Sequence, residues 1–188
     1  MKFCSECGHP TQQQIPDGDN RQRAVCTACH TIHYVNPRII AGTLPMFTHQ
    51  GKEQMLLCKR AIEPRKGYWT LPAGFMEQGE TLEVGAERET MEEAGIDIKC
   101  GQLLSSISVP HISQVHIFFL TQMQSPEHAT STSESLEVKL FNIEDIPWDE
   151  IAFPTVKQTM ELYLEDRKNN KIETRVFDIQ YSDRLKKH

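Results

Sequence analysis

The chain has 188 residues, 38% of them hydrophobic, a formal net charge of −6 and a sequence pI near 5.7. This length suits one domain with a small appendage, and the acidic balance argues against broad contact with nucleic acid phosphates, because such proteins present a basic face. The closing RLKKH is the main basic cluster. No segment approaches the roughly 20 apolar residues of a membrane span, and the opening MKFCSECGHP lacks the apolar stretch of an export signal, so we expect a cytoplasmic protein.

The N-terminal segment contains two pairs of cysteines at the spacing of a structural zinc site. The pairs are Cys4 with Cys7 and Cys26 with Cys29. Four thiolates close a tetrahedral shell, and zinc would supply folding free energy that so polar a segment cannot obtain from apolar burial. His9 and His30 lie beside the pairs as alternative ligands, but we expect all-cysteine ligation with both histidines at the surface. The pattern therefore predicts a zinc ribbon over residues 1–35 with no open position for catalysis.

After the ribbon, IHYVNPR predicts a linker into a second domain that we assign to residues 36–170. Its first strands are predicted in RIIAGTLPMF, EQMLLCKR and GYWTLPAG, which are rich in β-branched and aromatic residues and are bounded by Gly, Pro or charged residues. Cys58 lies inside the second of these runs, where a free cysteine usually behaves as a small hydrophobe.

Residues 74–96, GFMEQGETLEVGAERETMEEAGI, predict a loop, a helix and a stop. Gly74 and Gly79 bracket the loop, Glu80 or Thr81 begins the helix, and Gly95 ends it in the left-handed conformation that glycine tolerates. A helix of about 15 residues would be roughly 22 Å long.

This helix carries Glu89, Glu92 and Glu93 at positions i, i+3 and i+4, so we expect their carboxylates to converge. Each like-charge pair costs roughly 0.2–0.5 kcal/mol. An ordinary acidic surface helix is the alternative, but Gly85 costs about 1 kcal/mol in a helix interior relative to alanine, which indicates close packing. A divalent cation would turn the repulsion into coordination, and oxygen-only ligands favour Mg²⁺ or Mn²⁺ over zinc.

Further strands are predicted in DIKCGQLLSSISV, where Cys100 should be core, and in QVHIFFLTQM and LEVKLFNI. From Pro154 a packing helix is predicted, because four apolar residues recur on one helical face: Val156, Met160, Tyr163 and Leu164. The tail KIETRVFDIQY, within residues 171–188, predicts an edge strand or an arm across a partner.

The central stretch also resembles the Nudix box, G-x5-E-x7-R-E-U-x-E-E-x-G-U. The matching residues are Gly74, Glu80, Arg88, Glu89, Thr90, Glu92, Glu93, Gly95 and Ile96, with Thr90 at a position that is usually apolar. Together with the ribbon, LLCKR and YWTLPAGF, the chain is similar over residues 3–165 to zinc-ribbon Nudix hydrolases, most of all the plant FAD and ADP-ribose pyrophosphatase type.

This resemblance implies an α/β (α+β) fold, with a mixed β-sheet sandwiched between helices, and Mg²⁺- or Mn²⁺-dependent hydrolysis of a nucleoside diphosphate derivative. By similarity, the catalytic metal ligands would be Glu89, Glu92, Glu93 and the carbonyl of Gly74. Arg88 would anchor the box by pairing with a glutamate such as Glu80. The family also implies a homodimer.

The resemblance further implies a general base outside the box, before a late strand. TSTSESLEVKLF offers Glu134 and Glu137, and Glu89 is a third candidate. Lys59 and Arg60 are candidates for contact with phosphate, and Phe75, Tyr68 or Trp69 for stacking on a ring.

The substrate prediction rests on two downstream features. The motif S-Q-P-W-P-F-P-x-S that marks NADH pyrophosphatases is absent, whereas Pro110 resembles a proline of ADP-ribose pyrophosphatases. We therefore favour FAD or ADP-ribose over NADH. The alternative is a non-catalytic regulator that senses such ligands or binds nucleic acid; the intact box glutamates argue against it.

Overall fold

A computed structural model describes residues 1–180, which divide into two compact units at the junction of Pro37 and Arg38. The last part of the predicted arm, residues 181–188 with the basic RLKKH, lies outside the described residues. Within residues 1–180, no helix has both the length and the apolarity to cross a membrane.

The first unit is a three-stranded antiparallel sheet in the order β1-β2-β3. Its strands are β1 (Thr11–Gln14), β2 (Arg23–Cys26) and β3 (Ile32–His33). The predicted linker IHYVNPR is too long, because its first two residues form β3. In the chain, residues 34–37 connect β3 to the first strand of the second unit. The buried apolar residues of this unit are few, among them Ala24 and Val25, which is consistent with a need for metal.

The second unit is built on an eight-stranded mixed sheet in the order β10-β5-β4-β9-β8-β11, with β6 paired to β5 and β7 paired to β4. Its strands are β4 (Arg38–His49), β5 (Lys52–Arg60), β6 (Trp69–Thr70), β7 (Ala73–Phe75), β8 (Leu103–Val109), β9 (Gln114–Gln122), β10 (Ser135–Asn142) and β11 (Arg175–Asp178). The pairs β4–β9 and β8–β11 are parallel, and the others are antiparallel.

Two helices, α1 (Leu82–Ala94) and α2 (Pro154–Lys168), cover opposite faces of this sheet. The side chains of β5 identify the two faces of the sheet, because successive side chains of a strand point to opposite sides. Leu57 lies in one core cluster with Met160 of α2, whereas Leu56 and Cys58 lie in another with Ala94 of α1. The predicted fold class, a mixed sheet between helices preceded by a ribbon, is confirmed.

The structure corrects several predicted elements. In DIKCGQLLSSISV only Leu103–Val109 forms a strand, because the backbone N–H of Cys100 is hydrogen bonded to the Glu87 carboxylate (2.9 Å) instead of a neighbouring strand. Cys100 is consequently only half-buried. GYWTLPAG divides into β6 and β7. The described tail forms β11, an edge strand parallel to β8 of the same chain.

Candidate active site

The loop and helix of residues 74–96 place the candidate site at the inner face of α1. Thr81 caps the helix by accepting a hydrogen bond from the N–H of Val84 (3.3 Å), so the first helical residue is Leu82. Gly95 ends it with φ +68°, the left-handed conformation expected from the sequence. The helix has 13 residues and turns Glu89 and Glu93 toward the sheet.

Glu89 and Glu93 are both buried against the backbone of β7. Glu93 accepts a hydrogen bond from the N–H of Ala73 (3.1 Å), and only 6% of its surface is exposed. A Cβ atom placed on Gly74 would lie 2.3 Å from the carboxyl carbon of Glu89, so this carboxylate packs directly on a glycine Cα. A side chain at position 74 would therefore displace the Glu89 carboxylate from this position.

Arg88 offsets the repulsion among the box glutamates by binding three of them. Its Nε donates to Glu80 (2.6 Å), and its Nη1 donates to Glu89 (2.8 Å) and to Glu92 (2.9 Å). Its Nη2 also donates to the carbonyl oxygen of Phe75 (3.1 Å), which ties the helix to the preceding loop. The hydrogen bonds that Arg88 donates to Glu80 are the main reason that the pKa of Arg88 is raised.

The three carboxylates do not converge as closely as the spacing suggested. The side chain of Glu92 is 49% exposed and joins the others through Arg88, whereas Glu89 and Glu93 point inward. Among the described residues, the four cysteines of the ribbon are the one group of His, Cys, Asp or Glu already close enough together to hold a metal ion. Glu89 and Glu92 would therefore have to exchange contacts with Arg88 for contacts with an ion.

The buried carboxylates are electrostatically coupled to a third one from another element. Burial raises the pKa of Glu93 to about 8, and the negative charges of Glu89 and Glu134 add to the shift. Burial also raises the pKa of Glu89, against the opposing effect of Arg88. Oxygen donors that repel one another in a half-buried site fit a divalent cation.

Of the two candidate bases outside the box, the structure brings Glu134 to the cluster. Glu134 ends the loop before β10, its carbonyl accepts the N–H of Ala61 (2.9 Å), and its side chain is exposed. Glu137 lies within β10, exposed and paired in register with Lys59 of β5.

The basic candidates lie on β5 with their cations over aromatic rings. The guanidinium of Arg60 is 5.0 Å from the ring centroid of Phe153, and its charge lowers the pKa of Glu93, which places it near the carboxylates. The Nζ atom of Lys59 lies 5.4 Å from the ring centroid of Trp69.

Of the aromatic candidates, Phe75 and Tyr68 reach the surface and Trp69 belongs to the core. The ring of Phe75 is 45% exposed, and the guanidinium of Arg38 lies 4.4 Å from its centroid. Sequence reasoning did not single out Arg38. Its position directly after the Asn36-Pro37 turn carried no chemical signal, and the contact joins residues distant in the chain.

The four cysteine Sγ atoms all lie within 4.8 Å of one another. The hydrogen-bonding contacts among them are 3.4 Å for Cys7 to Cys26 and to Cys29, and 3.7 Å for Cys4 to Cys29. A tetrahedron with Zn–S bonds of about 2.3 Å has edges of about 3.8 Å, so the cluster fits zinc.

The histidine beside this cluster is neither of the two considered from the sequence. The Nε2 atom of His33 lies 3.3 Å from the Sγ of Cys4, and His33 is buried. His9 is hydrogen bonded to the carbonyl of Cys7, and both His9 and His30 are exposed, as expected. A hydrogen bond from Thr31 lowers the pKa of Cys29 to about 6, which favours the thiolate that zinc binds.

Comparison with known proteins gives two family matches. Residues 2–35 match the zinc-ribbon model described as Nudix N-terminal, and residues 37–162 match the NUDIX domain. The chain is 31% identical over 148 residues to the NAD-capped RNA hydrolase NudC of Salmonella paratyphi C, which covers 78% of this chain and 53% of that protein. The chain thus spans about half the length of the curated relatives it matches.

Solved structures give the same assignment. A NUDIX hydrolase from Nitrosomonas europaea is 44% identical with a TM-score of 0.90, and the match covers 96% of this chain and 100% of that one. The NUDIX domain of Shewanella oneidensis NrtR, solved with ADP ribose, shares the fold at 19% identity and a TM-score of 0.63, over 73% of this chain and 91% of that one. By its box, its sheet and these matches, the chain belongs to the Nudix family and carries the N-terminal zinc ribbon of its ribbon-bearing members.

Proposed function

We propose that the chain is a metal-dependent pyrophosphatase, which hydrolyses the diphosphate linkage of a nucleoside diphosphate derivative to a mononucleotide and a phosphorylated fragment. The observation that carries this proposal is the burial of Glu89 and Glu93 beside Glu134: burial raises the pKa of both groups, and the negative charge of Glu134 adds to each shift. Such a cluster is costly in a folded protein unless a cation uses it.

The residues that would hold Mg²⁺ or Mn²⁺ are Glu89, Glu92 and Glu93 with the carbonyl of Gly74. The ion, when bound, would supply positive charge to the diphosphate and Lewis-acid activation of water. Arg88 fixes Glu89 and Glu92 in the positions from which they would exchange a hydrogen bond for the ion.

We assign the general base to Glu134. Its negative charge raises the pKa of both buried carboxylates, which supports a position close to the box, and its side chain is exposed to the water that it would activate. Glu137 is paired in register with Lys59, and Glu89 already accepts from Arg88. Both are the weaker candidates for these reasons.

Substrate binding would use the basic strand β5 and the exposed aromatic ring. Arg60, with Lys59 beside it, would bind the diphosphate, and Phe75 would stack on a planar ring of the substrate. FAD and ADP-ribose remain our preferred substrates. The relatives named NAD-capped RNA hydrolases bring NAD-linked substrates into the same test, although the NADH pyrophosphatase motif is absent here.

The test is a substrate panel on the full chain with Mg²⁺ or Mn²⁺, comprising ADP-ribose, FAD, NADH and an NAD-capped RNA, with products separated by chromatography. We expect cleavage at the diphosphate and none with Glu93→Gln. Glu134→Gln should lower kcat by about 10²- to 10⁴-fold, with Glu137→Gln close to wild type. Binding of a panel ligand without cleavage would instead support the non-catalytic regulator. A large loss of kcat in Glu137→Gln alone would assign the general base to Glu137 instead of Glu134. The predicted homodimer is checked on the same sample by light scattering.

A further inference from the structure

The loop between β9 and β10 is attached to the C-terminal end of α1. The N–H of Ala129 donates to the carbonyl oxygen of Ala94 (2.8 Å), and the Thr132 hydroxyl donates to the carbonyl oxygen of Glu93 (3.5 Å). The carboxylate of Glu93 accepts a hydrogen bond from the backbone of β7. The loop is therefore held at the helical turn that carries a proposed metal ligand.

The same hydroxyl also shapes the turn that carries Glu134. The Oγ1 atom of Thr132 accepts the N–H of Glu134 (3.2 Å) and the N–H of Ser135 (3.1 Å). The N–H of Thr132 in turn donates to the carbonyl oxygen of Ser135 (2.9 Å). A side chain that captures two successive backbone N–H groups fixes the local backbone.

We propose that Thr132 is a positioning residue that holds Glu134 at its working distance from the carboxylate cluster. This inference rests on the proposed function, in which Glu134 is the general base. One hydroxyl joins the backbone of Glu93 to the backbone of Glu134 and so couples the metal site to the base. Because the Glu134 side chain is exposed, its position depends on its backbone, and a misplacement of about 1 Å can cost about 10²-fold in rate.

The experiment compares Thr132→Val, which keeps the shape and removes the hydroxyl, with Thr132→Ser, which keeps the hydroxyl. Ser133→Ala, in the same exposed loop, is the matched control. We expect Thr132→Val to lower kcat by about 10- to 100-fold with KM within about twofold, and Thr132→Ser and Ser133→Ala to remain close to wild type. Amide hydrogen exchange at Glu134 and Ser135 should accelerate in Thr132→Val and not in Thr132→Ser.

A double variant separates positioning from a general structural role. In the Glu134→Gln background, Thr132→Val should cause almost no further loss, because the hydroxyl acts through the carboxylate already removed. Full additivity of the two losses, or wild-type kcat in Thr132→Val, overturns the inference. If Glu134→Gln itself is fully active, the base assignment under the proposed function fails; if Glu134→Gln is impaired and Thr132→Val is not, only the role of Thr132 fails.

Discussion

The hydrogen bonds of Thr90 explain how this polar residue occupies a usually apolar position of the box. It is fully buried, and its hydroxyl lies 2.7 Å from the Thr43 hydroxyl of β4 and donates to the carbonyl oxygen of Ala86 at 2.7 Å. The contact between these two hydroxyls joins α1 to β4 of the sheet. The sequence showed the departure from the pattern, but its partner lies 47 residues away and could not be predicted.

Removing one hydroxyl of this pair should cost more than removing both. Thr90→Val leaves the buried Thr43 hydroxyl without this partner, and we expect a loss of about 1–3 kcal/mol in the free energy of unfolding, measured by urea denaturation. Thr43→Val/Thr90→Val should recover most of that loss, because two apolar groups then face each other. Additive losses in the double variant would show that the hydroxyl pair contributes no coupling.

The raised pKa of Glu93 predicts an unusual pH dependence of the free energy of unfolding in the absence of added Mg²⁺ or Mn²⁺. Its pKa rises from an ordinary 4.5 to about 8, so the folded state keeps a proton that the unfolded chain releases. Its contribution to stability is therefore complete below pH 4.5 and is lost as the pH rises through about 8.

Glu93→Gln should remove this loss. We expect the free energy of unfolding of the variant to be close to that of the wild type at pH 5. At pH 8.5 it should be higher than that of the wild type, by on the order of 2–4 kcal/mol. Denaturation curves at the two pH values measure the difference, and activity should be absent at both. A variant less stable than wild type at pH 8.5 would contradict the buried-charge account.

His33 provides a test of the zinc cluster at the level of one residue. Its ring nitrogen faces the Cys4 sulfur, so we expect it to donate a hydrogen bond to the thiolate without binding the metal. His33→Phe should weaken zinc binding by about 10- to 100-fold in competition with a chelator. His30→Asn, at an exposed residue with φ +60°, is the control that should leave the affinity unchanged. Equal affinity in both variants would remove His33 from the site.

At the scale of elements, glycines set the distance between α1 and the loop before it. A Cβ on Gly85 would lie 2.8 Å from a carboxylate oxygen of Glu80 and 3.7 Å from the Cβ of Ala41. The close packing inferred from a glycine inside the helix is thus observed. Glu80 can then accept from both Arg88 and the N–H of Glu77, which holds the loop in place.

The edge strand β11 is joined to α2 by one ion pair. The guanidinium of Arg175 binds both carboxylate oxygens of Asp166, which is buried and also accepts the N–H of Glu173 (2.9 Å). Arg175 lowers the pKa of Asp166 below its ordinary 3.8, so this contribution is present above pH 3.8 and is lost as the pH falls below that value.

Arg175→Ala should leave a buried carboxylate without its cation and lower the free energy of unfolding by about 2–3 kcal/mol, the value being reduced because Arg175 is partly exposed. Amide exchange in β11 should accelerate at the same time. The exposed pair of Lys171 with Glu173 supplies the control, since Lys171→Ala should have a much smaller effect on the free energy of unfolding. Equal effects of the two substitutions would show that burial of Asp166 does not matter.

At the scale of the whole molecule, the two units should respond separately to loss of zinc. Cys26→Ser removes one of four thiolates, so we expect zinc to be lost and residues 1–37 to lose protection from hydrogen exchange. The second unit has its own core clusters and should keep its protection and its main unfolding transition. Metal analysis with exchange measurements checks both results. Collapse of protection throughout the chain would show that the units depend on each other.

The sequence by itself determined the features whose chemistry lies in one short segment. The spacing of Glu89 and Glu93 on a helix, the stop at Gly95 and the two cysteine pairs each follow from local geometry, and alternation in β5 follows from the strand repeat. Local pattern failed at DIKCGQLLSSISV, where the carboxylate of Glu87 in α1 accepts a hydrogen bond from the N–H of Cys100.

Only the tertiary structure decided the features that join distant segments. The burial that raises the pKa of Glu93, the approach of Glu134 to the box, the hydroxyl of Thr132 and the contact of His33 with Cys4 all depend on how elements pack. No periodicity along the chain encodes them, because a contact between packed elements depends on three-dimensional distance. The box glutamates were therefore readable from the sequence, whereas the residues that position and tune them became visible only in the fold.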